Sequence, residues 1–503
     1  MTTPRHVAVI DIGKTNAKLA LVDTESLVEI AVLTRPNIVR PGPPWPHFDL
    51  GGHWQFLLAG LAEFQRSHGI DAISVTTHGA SCVLLDGAGR LAAPMLDYEH
   101  PGPDEMRAGY DSIRPPFSET GSPRLGMGLN VGAQLYWQFA TDPGLRDRVR
   151  AILTYPQYWA FRLTGVAATD ASSLGCHTDL WNPYAGRLSS LAQRLGIADR
   201  IAPTRPSSDI LGPVLPGIAK ATGLPATTPV HCGIHDSNAS LLPHLLGQAA
   251  PFSVVSSGTW VISMALGGAA VTLDPAKDTL VNVNALGDPV PSARFMGGRE
   301  FDLLLAEGYR DPTDAEALAV LDEGVMLLPA VVPDTGPFQG RAARWTAGEP
   351  EPGSGTRSAA VGYYLALVTA RCLTLIGHRG TILVEGPFAR NGAYCDMLSA
   401  ATGSAVAKAG SATGTSQGAA LLAAPGAISG LRYADHARRA RVTRCSAMPG
   451  DGRKRSAMRS LSLRGSTRNK FESIQARNAL RIVKPPSAIR VAPLMIPASA
   501  EAR

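Results

Sequence analysis

The chain has 503 residues, 45% of them hydrophobic and 17% charged, which is too long for one core and describes a globular protein of two or three domains. Its formal net charge of +6 is unevenly spread: residues 431–503 hold 17 Lys and Arg against 4 Asp and Glu, leaving 30 against 37 in residues 1–430. The basic tail could suggest nucleic acid or a membrane as partner, but it is rich in Arg, Ser, Ala and Pro and broken by Pro485-Pro486, so disorder is the better reading and neither partner is expected.

Asp11 and Lys14 interrupt the first apolar run, so no secretory signal is expected. Arg371 breaks the best candidate for a membrane span, residues 361–377. Cys82, Cys176, Cys232, Cys372, Cys395 and Cys445 show neither a CxxC pair nor metal-ligand spacing and read as buried thiols of a cytoplasmic protein.

In chain order, an apolar strand over 6–11 meets the turn Asp11-Ile12-Gly13-Lys14-Thr15-Asn16 and a second strand over 17–23. An amphipathic helix with Trp54, Leu57, Leu58, Leu61 and Phe64 on one face follows, then a buried strand over 72–77 ending at His78-Gly79, and another over 82–86. Residues 100–130, rich in Gly and Pro, are expected to form an irregular loop on the substrate side. Helical patterns return over 133–140 and 155–163. A short strand over 230–233 then gives way to Ile234-His235-Asp236-Ser237 and an apolar helix.

Near residue 249 the theme repeats, with a strand over 252–255, the turn Ser256-Ser257-Gly258-Thr259, and a strand over 260–264. Mixed loops, a helix over 359–376, a strand over 381–385 and a Gly-rich turn follow, and a last glycine turn, 414–418, leads into a helix over 419–424. Two matching hairpins suggest an internal duplication. Small residues at such a tip present N–H groups and hydroxyls to a phosphate, so two hairpins across a cleft suit a triphosphate. Either turn alone reads as an ordinary hairpin.

Asp236 tips the balance. It stands where a buried strand gives way to a helix, a place that presents a carboxylate at the strand's C-terminal edge, where it can take a proton from an attacking sugar hydroxyl. The competing reading makes Asp236 the N-cap of a helix starting at Ser237. Asp11 ends an apolar strand and needs a cation, which hydrated Mg²⁺ beside a triphosphate would supply. Lys14 and Lys18 flank the turn and offer positive charge to a phosphoryl group, with a solvated side chain the competing reading, above all for Lys14. His78 is either a sugar ligand or a satisfied structural histidine.

The segments AVIDIGKTNAKLAL, SVTTHGASCVLLD, YPQYWAFRLTG, CGIHDSNASL, SSGTWVISM, VEGPFARNGAYCDMLSAATGSAV and GTSQGAALLA, spread over residues 6 to 424, resemble the FGGY family of carbohydrate kinases, within the superfamily of actin-like and heat-shock-chaperone ATPases. CGIHDSNASL followed by SSGTW is the specific part, in the form shared by rhamnulokinase-like and fuculokinase-like members. The resemblance implies two actin-like (ribonuclease H-like) α/β lobes around a central nucleotide and sugar cleft: a sugar-binding lobe over 1–245, a nucleotide-binding lobe over 246–430, and the tail over 431–503.

It further implies ATP and Mg²⁺ as cofactors and phosphorylation of a sugar hydroxyl, the sugar being a ketose or deoxyketose such as L-rhamnulose or L-fuculose. Asp236 would be the catalytic base and Asp11 the Mg²⁺ ligand. Gly13, Thr15 and Lys18 would bind phosphate with Gly258 and Thr259, while Gly386 and Asn391 would bind adenosine and His78 and Gly79 would line the sugar pocket. Two departures stand out. Pro387 replaces the second glycine of the adenosine motif and has no N–H to donate. The Arg-rich composition after residue 431 fits either a disordered extension or a shifted reading frame.

A sugar kinase acting on a small-molecule sugar is therefore expected, with a homodimer left open. The alternatives are a catalytically weak sugar- or nucleotide-binding regulator on the same fold, suggested by Pro387 and the tail, and a chaperone ATPase, against which no peptide-binding β domain follows the second lobe.

Overall fold

The computed structural model describes residues 3–409 and 414–430; the basic tail and its expected disorder, together with Cys445, lie outside the described residues. Two sheets dominate. The first takes strands β1 (His6–Ile12), β2 (Asn16–Asp23), β3 (Val28–Pro36), β4 (Ala72–Thr77), β5 (Ile210–Pro213), β6 (Pro229–His231) and β7 (Ile234–His235), in the order β5-β6-β4-β1-β2-β3 with β7 beside β4. The second takes β8 (Phe252–Ser257), β9 (Val261–Leu266), β10 (Thr279–Val283), β11 (Pro289–Phe295), β12 (Thr381–Glu385) and β13 (Val406–Lys408), in the order β10-β11-β9-β8-β12-β13.

The two sheets share one plan, which is the expected duplication. In each, an antiparallel hairpin (β1 and β2; β8 and β9) has its first strand flanked on the other side by a parallel strand (β4; β12). Parallel strands buried on both faces read as near-continuous apolar runs, which is how β1 and β12 stand out in the sequence, while β4 is equally buried but carries Ser74, Thr76 and Thr77.

Helix α1 (Leu50–Ser67) covers the first sheet with Leu50, Leu57, Leu61 and Phe64, and starts where the Asp49 carboxylate accepts the Gly52 N–H at 3.1 Å. Helix α2 (Tyr155–Thr164) adds Tyr155, Tyr158, Trp159 and Leu163 to the same core. Helix α3 (Asp236–Gly247) follows β7, and α4 (Gly297–Leu304) follows β11. Helix α5 (Gly355–Leu375) is the long core helix of the second half, and α6 (Gly392–Thr402) precedes β13. By length and hydropathy α5 does meet the measure of a membrane span, Arg371 notwithstanding, but 67% of that apolar window is buried within the protein. Its apolar residues are core.

The last described helix, α7 (Thr415–Ala420), crosses back to the first sheet. Ala419, Ala420, Leu421 and Leu422 pack with Val7, Val9, Ala239 and Leu242, and Ser74 Oγ donates to the Ala419 carbonyl at 2.7 Å. The helix begins at Thr415, inside the glycine stretch read as a turn, where the Gln417 side chain accepts the Gly414 N–H at 3.1 Å, and residue 418 is glycine because it sits against α3: a Cβ there would lie 1.7 Å from the Ala239 carbonyl oxygen.

Residues 100–130 are more ordered than expected and contain short helices over Gly102–Glu105, Arg107–Ile113 and Phe117–Thr120. Distant partners hold them: the Tyr110 hydroxyl donates to Asp179 at 2.6 Å and Arg114 Nε to the same carboxylate at 2.9 Å. Cys82, Cys176, Cys232, Cys372 and Cys395 are buried free thiols, as expected.

Candidate active site

Register alone brings three side chains to one sheet edge. β1 and β7 both pair with β4, with Ile12 and His235 each opposite Thr77. Asp11 at the end of β1, His78 just past β4 and Asp236 just past β7 therefore emerge side by side at the C-terminal ends of parallel strands, where open α/β sheets place their ligands.

Asp236 is the first residue of α3 and not its N-cap; His235 holds the cap position, so the capping reading fails. Its Oδ1 accepts the Ser237 N–H at 2.6 Å and the Ser237 hydroxyl at 3.3 Å, and lies 3.1 Å from His235 Nε2. Burial holds the His235 pKa down at about 4, so its ring is neutral. With Asn238 Nδ2 donating to His235 Nδ1 at 3.3 Å, the proton sits on Nε2 and points at Asp236. All of these bonds fall on Oδ1. Oδ2 takes none among the described residues, and a third of the side chain, 33%, stays open to solvent. Burial raises the Asp236 pKa from its ordinary value, partly opposed by the bonds from Ser237. Gly79 makes room for this arrangement, since a Cβ there would lie 2.7 Å from His235 Nε2.

His78 is buried among Phe48, Tyr98 and Tyr155, with ring centroids 5.2, 5.3 and 5.0 Å away. Its pKa is lowered to about 4 by burial, and Nδ1 donates to the Gly79 carbonyl at 2.8 Å. Nε2 is then an acceptor, and it is buried without a partner among the described residues.

Asp11 and Lys18 face each other across the β1–β2 register and pair at 3.1 Å, with Ser416 of α7 donating to the same oxygen, Oδ2, at 3.2 Å. Burial raises the Asp11 pKa, offset in part by Lys18. Lys18 also reaches Glu29 at 3.0 Å; burial works against its charge, but the two carboxylates outweigh it and its pKa is raised. Lys14 is not solvated. Its Nζ bonds Asp97, lies 3.1 Å from Glu99, and sits 4.5 Å from the Tyr98 ring centre. Asp97 was missed in the sequence because it is 83 residues away from Lys14 in the chain.

Both hairpin tips are held by neighbours, Asn37 Nδ2 donating to the Gly13 carbonyl at 2.8 Å and the Arg299 N–H to the Thr259 carbonyl at 3.3 Å. The Gly13 N–H donates to the Asn16 carbonyl at 2.9 Å and the Gly258 N–H to that of Trp260 at 2.9 Å, while Thr15 and Thr259 are exposed. In the second sheet, Ser256 pairs with Glu385, so the Gly258 tip and the Gly386 turn share an edge, matching the placement of Gly13 and His78 in the first. Gly386 lies against Ser257, whose Oγ accepts the Phe388 N–H at 3.0 Å. Pro387 starts a short 3-10 helix, where an N–H has no helical acceptor to lose. Asn391 caps α6 by accepting the Tyr394 N–H at 3.0 Å.

Residues 6–243 match the N-terminal domain of the FGGY family of carbohydrate kinases, and residues 249–430 match the carbohydrate kinase FGGY C-terminal domain. The chain belongs to the FGGY family of carbohydrate kinases. Its fold is the two-lobed, actin-like one of that family. A carbohydrate kinase from Novosphingobium aromaticivorans has a solved structure that superposes with a TM-score of 0.77 at 39% identity, covering 83% of this chain and 93% of that one. The L-fuculokinase of Salmonella typhi is 26% identical over 273 residues, 52% of this chain and 57% of that protein. The xylulose kinase of Escherichia coli is 26% identical over 238 residues, 46% and 48% respectively. The chain thus matches these two curated relatives over about half of their length.

Proposed function

We propose that this protein transfers the γ-phosphoryl group of MgATP to a hydroxyl of a sugar, with Asp236 as general base. One observation carries the reading: the Asp236 carboxylate is fixed through Oδ1 by Ser237 and His235, while Oδ2 takes no bond among the described residues and the side chain stays partly open to solvent. A base held in this way meets the geometric demand of proton transfer from an attacking hydroxyl. His78 Nε2 accepts a hydrogen bond from a second sugar hydroxyl. The two glycine tips receive the phosphates, and the turn of Gly386 and Asn391 takes the adenosine. On this reading residues 1–245 form the sugar-binding lobe and residues 246–430 the nucleotide-binding lobe.

The donor set also suits a magnesium ion arriving on the nucleotide. Asp11 Oδ2 is taken by Lys18 and Ser416, Oδ1 takes no bond among the described residues, and Mg²⁺ is commonly held through one or two carboxylates plus phosphate oxygens. Such an ion neutralises charge on the transferring phosphoryl group. The acceptor is a ketose or deoxyketose; the names L-fuculokinase and xylulose kinase among its relatives support that class, and L-rhamnulose and L-fuculose are the first sugars to try.

In an ADP-release assay over ketoses, Asp236→Asn lowers kcat by about 10²- to 10⁴-fold while nucleotide affinity is kept. The wild-type rate falls on the acid side at a pH higher than an ordinary aspartate would give, following the raised Asp236 pKa. Full turnover in Asp236→Asn would refute the assignment.

A further inference from the structure

Lys18, Arg294 and Lys14 stand near the site, and each is already matched by a carboxylate. Lys18 lies between Asp11 and Glu29 at 3.1 and 3.0 Å. Arg294 Nε binds Asp278 at 2.9 Å, with its guanidinium 4.8 Å from the Trp260 ring centre. Lys14 is shared by Asp97 and Glu99. His78 and His235 are neutral rings.

Lys14 belongs to the sugar side of the site. Its ammonium stands 4.5 Å from the centre of Tyr98 and 5.1 Å from that of Phe48, the same two rings that flank His78 at 5.3 and 5.2 Å. One of its three N–H donors is directed to Asp97, and Glu99 lies 3.1 Å away, which leaves at least one donor for a hydroxyl oxygen. The partnerless, buried His78 Nε2 next to it is an acceptor for a hydroxyl proton. One donor and one acceptor suit a polyol. A sugar carboxylate would instead meet Asp97, Glu99 and Asp236, where the nearest cation, Lys14, is already shared by two carboxylates, and like charges brought together weaken binding.

We propose that the Lys14–Asp97–Glu99 cluster makes the acceptor pocket select an uncharged sugar and reject a sugar acid, an inference that rests on the kinase reading above. Selectivity here comes from the repulsive element, the two carboxylates that occupy the cation.

The test measures kcat/KM of the full chain by ADP release for a neutral ketose panel and for a ketoaldonate of matching carbon number. The wild type favours the ketose by about tenfold or more, and Asp97→Asn with Glu99→Gln, which frees the Lys14 charge, moves the ratio about tenfold toward the acid. Adding Lys14→Met removes that gain. Glu99→Gln alone, at a side chain 54% exposed and so safe for folding, gives a smaller shift of the same sign. A wild type that accepts both sugars equally, an unchanged ratio in the variants, or a gain that survives Lys14→Met overturns the inference and leaves the kinase reading standing. No ADP release with any sugar, neutral or acidic, removes the kinase reading and the inference with it.

Discussion

Gly13 and Gly258 are glycines for a different reason from Gly386. A Cβ on Gly13 would meet nothing closer than the Asn16 carbonyl oxygen at 3.6 Å, one on Gly258 nothing closer than that of Trp260 at 4.0 Å, and neither residue has a positive φ. The fold does not require them to lack a side chain; a phosphate seated on the tip would. Gly386 has φ +77° and its Cβ would lie 1.9 Å from the Ser257 carbonyl oxygen, so the protein itself excludes a side chain there. Gly13→Ala and Gly258→Ala are thus expected to leave Tm unchanged and raise KM for ATP about tenfold, as methyl groups crowd the phosphates, whereas Gly386→Ala lowers stability by about 1–3 kcal/mol. Thermal melts beside ATP titrations separate the two classes. A large Tm loss in Gly13→Ala with no change in KM would remove the phosphate role.

The element that joins the two halves of the site is α3 with α7 packed across it. α3 carries Asp236 at its start, and His244 near its end lies 3.5 Å from Glu385, next to the Gly386 turn. α7 crosses α3 at Gly418 and carries Ser416 to Asp11. Gly418→Ala pushes these helices apart, because the atom it meets is backbone and cannot swing aside; the expected result is a loss of about 1–3 kcal/mol or more, with kcat falling as Ser416 leaves Asp11. A variant with wild-type Tm and kcat would show that the crossing is loose. The sequence disclosed the hairpins, β12 and α5 because apolar runs end at glycine turns or helix signals, and β4 because its β-branched residues end at His78-Gly79. It did not disclose β3, where exposed Val28, Ile30 and Val32 alternate with half-buried Glu29, Ala31 and Leu33, so that apolar residues fall on both faces and no amphipathic alternation shows, nor β10 and β11, read as loops. The short helices of residues 100–130 and the partnership of Lys14 with Asp97 depend on contacts between distant residues, which local pattern does not carry. At the site, the positions of Asp11, His78 and Asp236 were legible as strand ends, but the bonds that leave one oxygen of Asp236 open were not.

Across the whole molecule, stability falls toward acid for a reason built into the same site. Burial lowers the pKa values of His78, His177 and His235 to about 4, against an ordinary value of 6.5. In the folded protein these rings stay neutral through that window, while in the unfolded chain they take up protons below about 6.5. The unfolded state therefore binds more protons, and stability rises with pH between about 4 and 6.5 and is lost as pH falls through that range. Each ring contributes at most about 1.4 kcal/mol per pH unit, so three together are large against the total stability of a protein of this kind. The raised pKa values of Asp11, Asp236 and Glu300 act in the opposite sense, since those groups hold protons more tightly when folded and favour folding as pH falls through their raised range. Thermal melts are expected to give a flat Tm above about pH 7 and a steep decline from about pH 6.5 to pH 5. His177→Gln, which replaces one ring by an amide without touching the base, should soften that decline. A Tm that does not change down to pH 5 would mean that these rings carry charge in the folded protein, and the acceptor role of His78 Nε2 would fall with it.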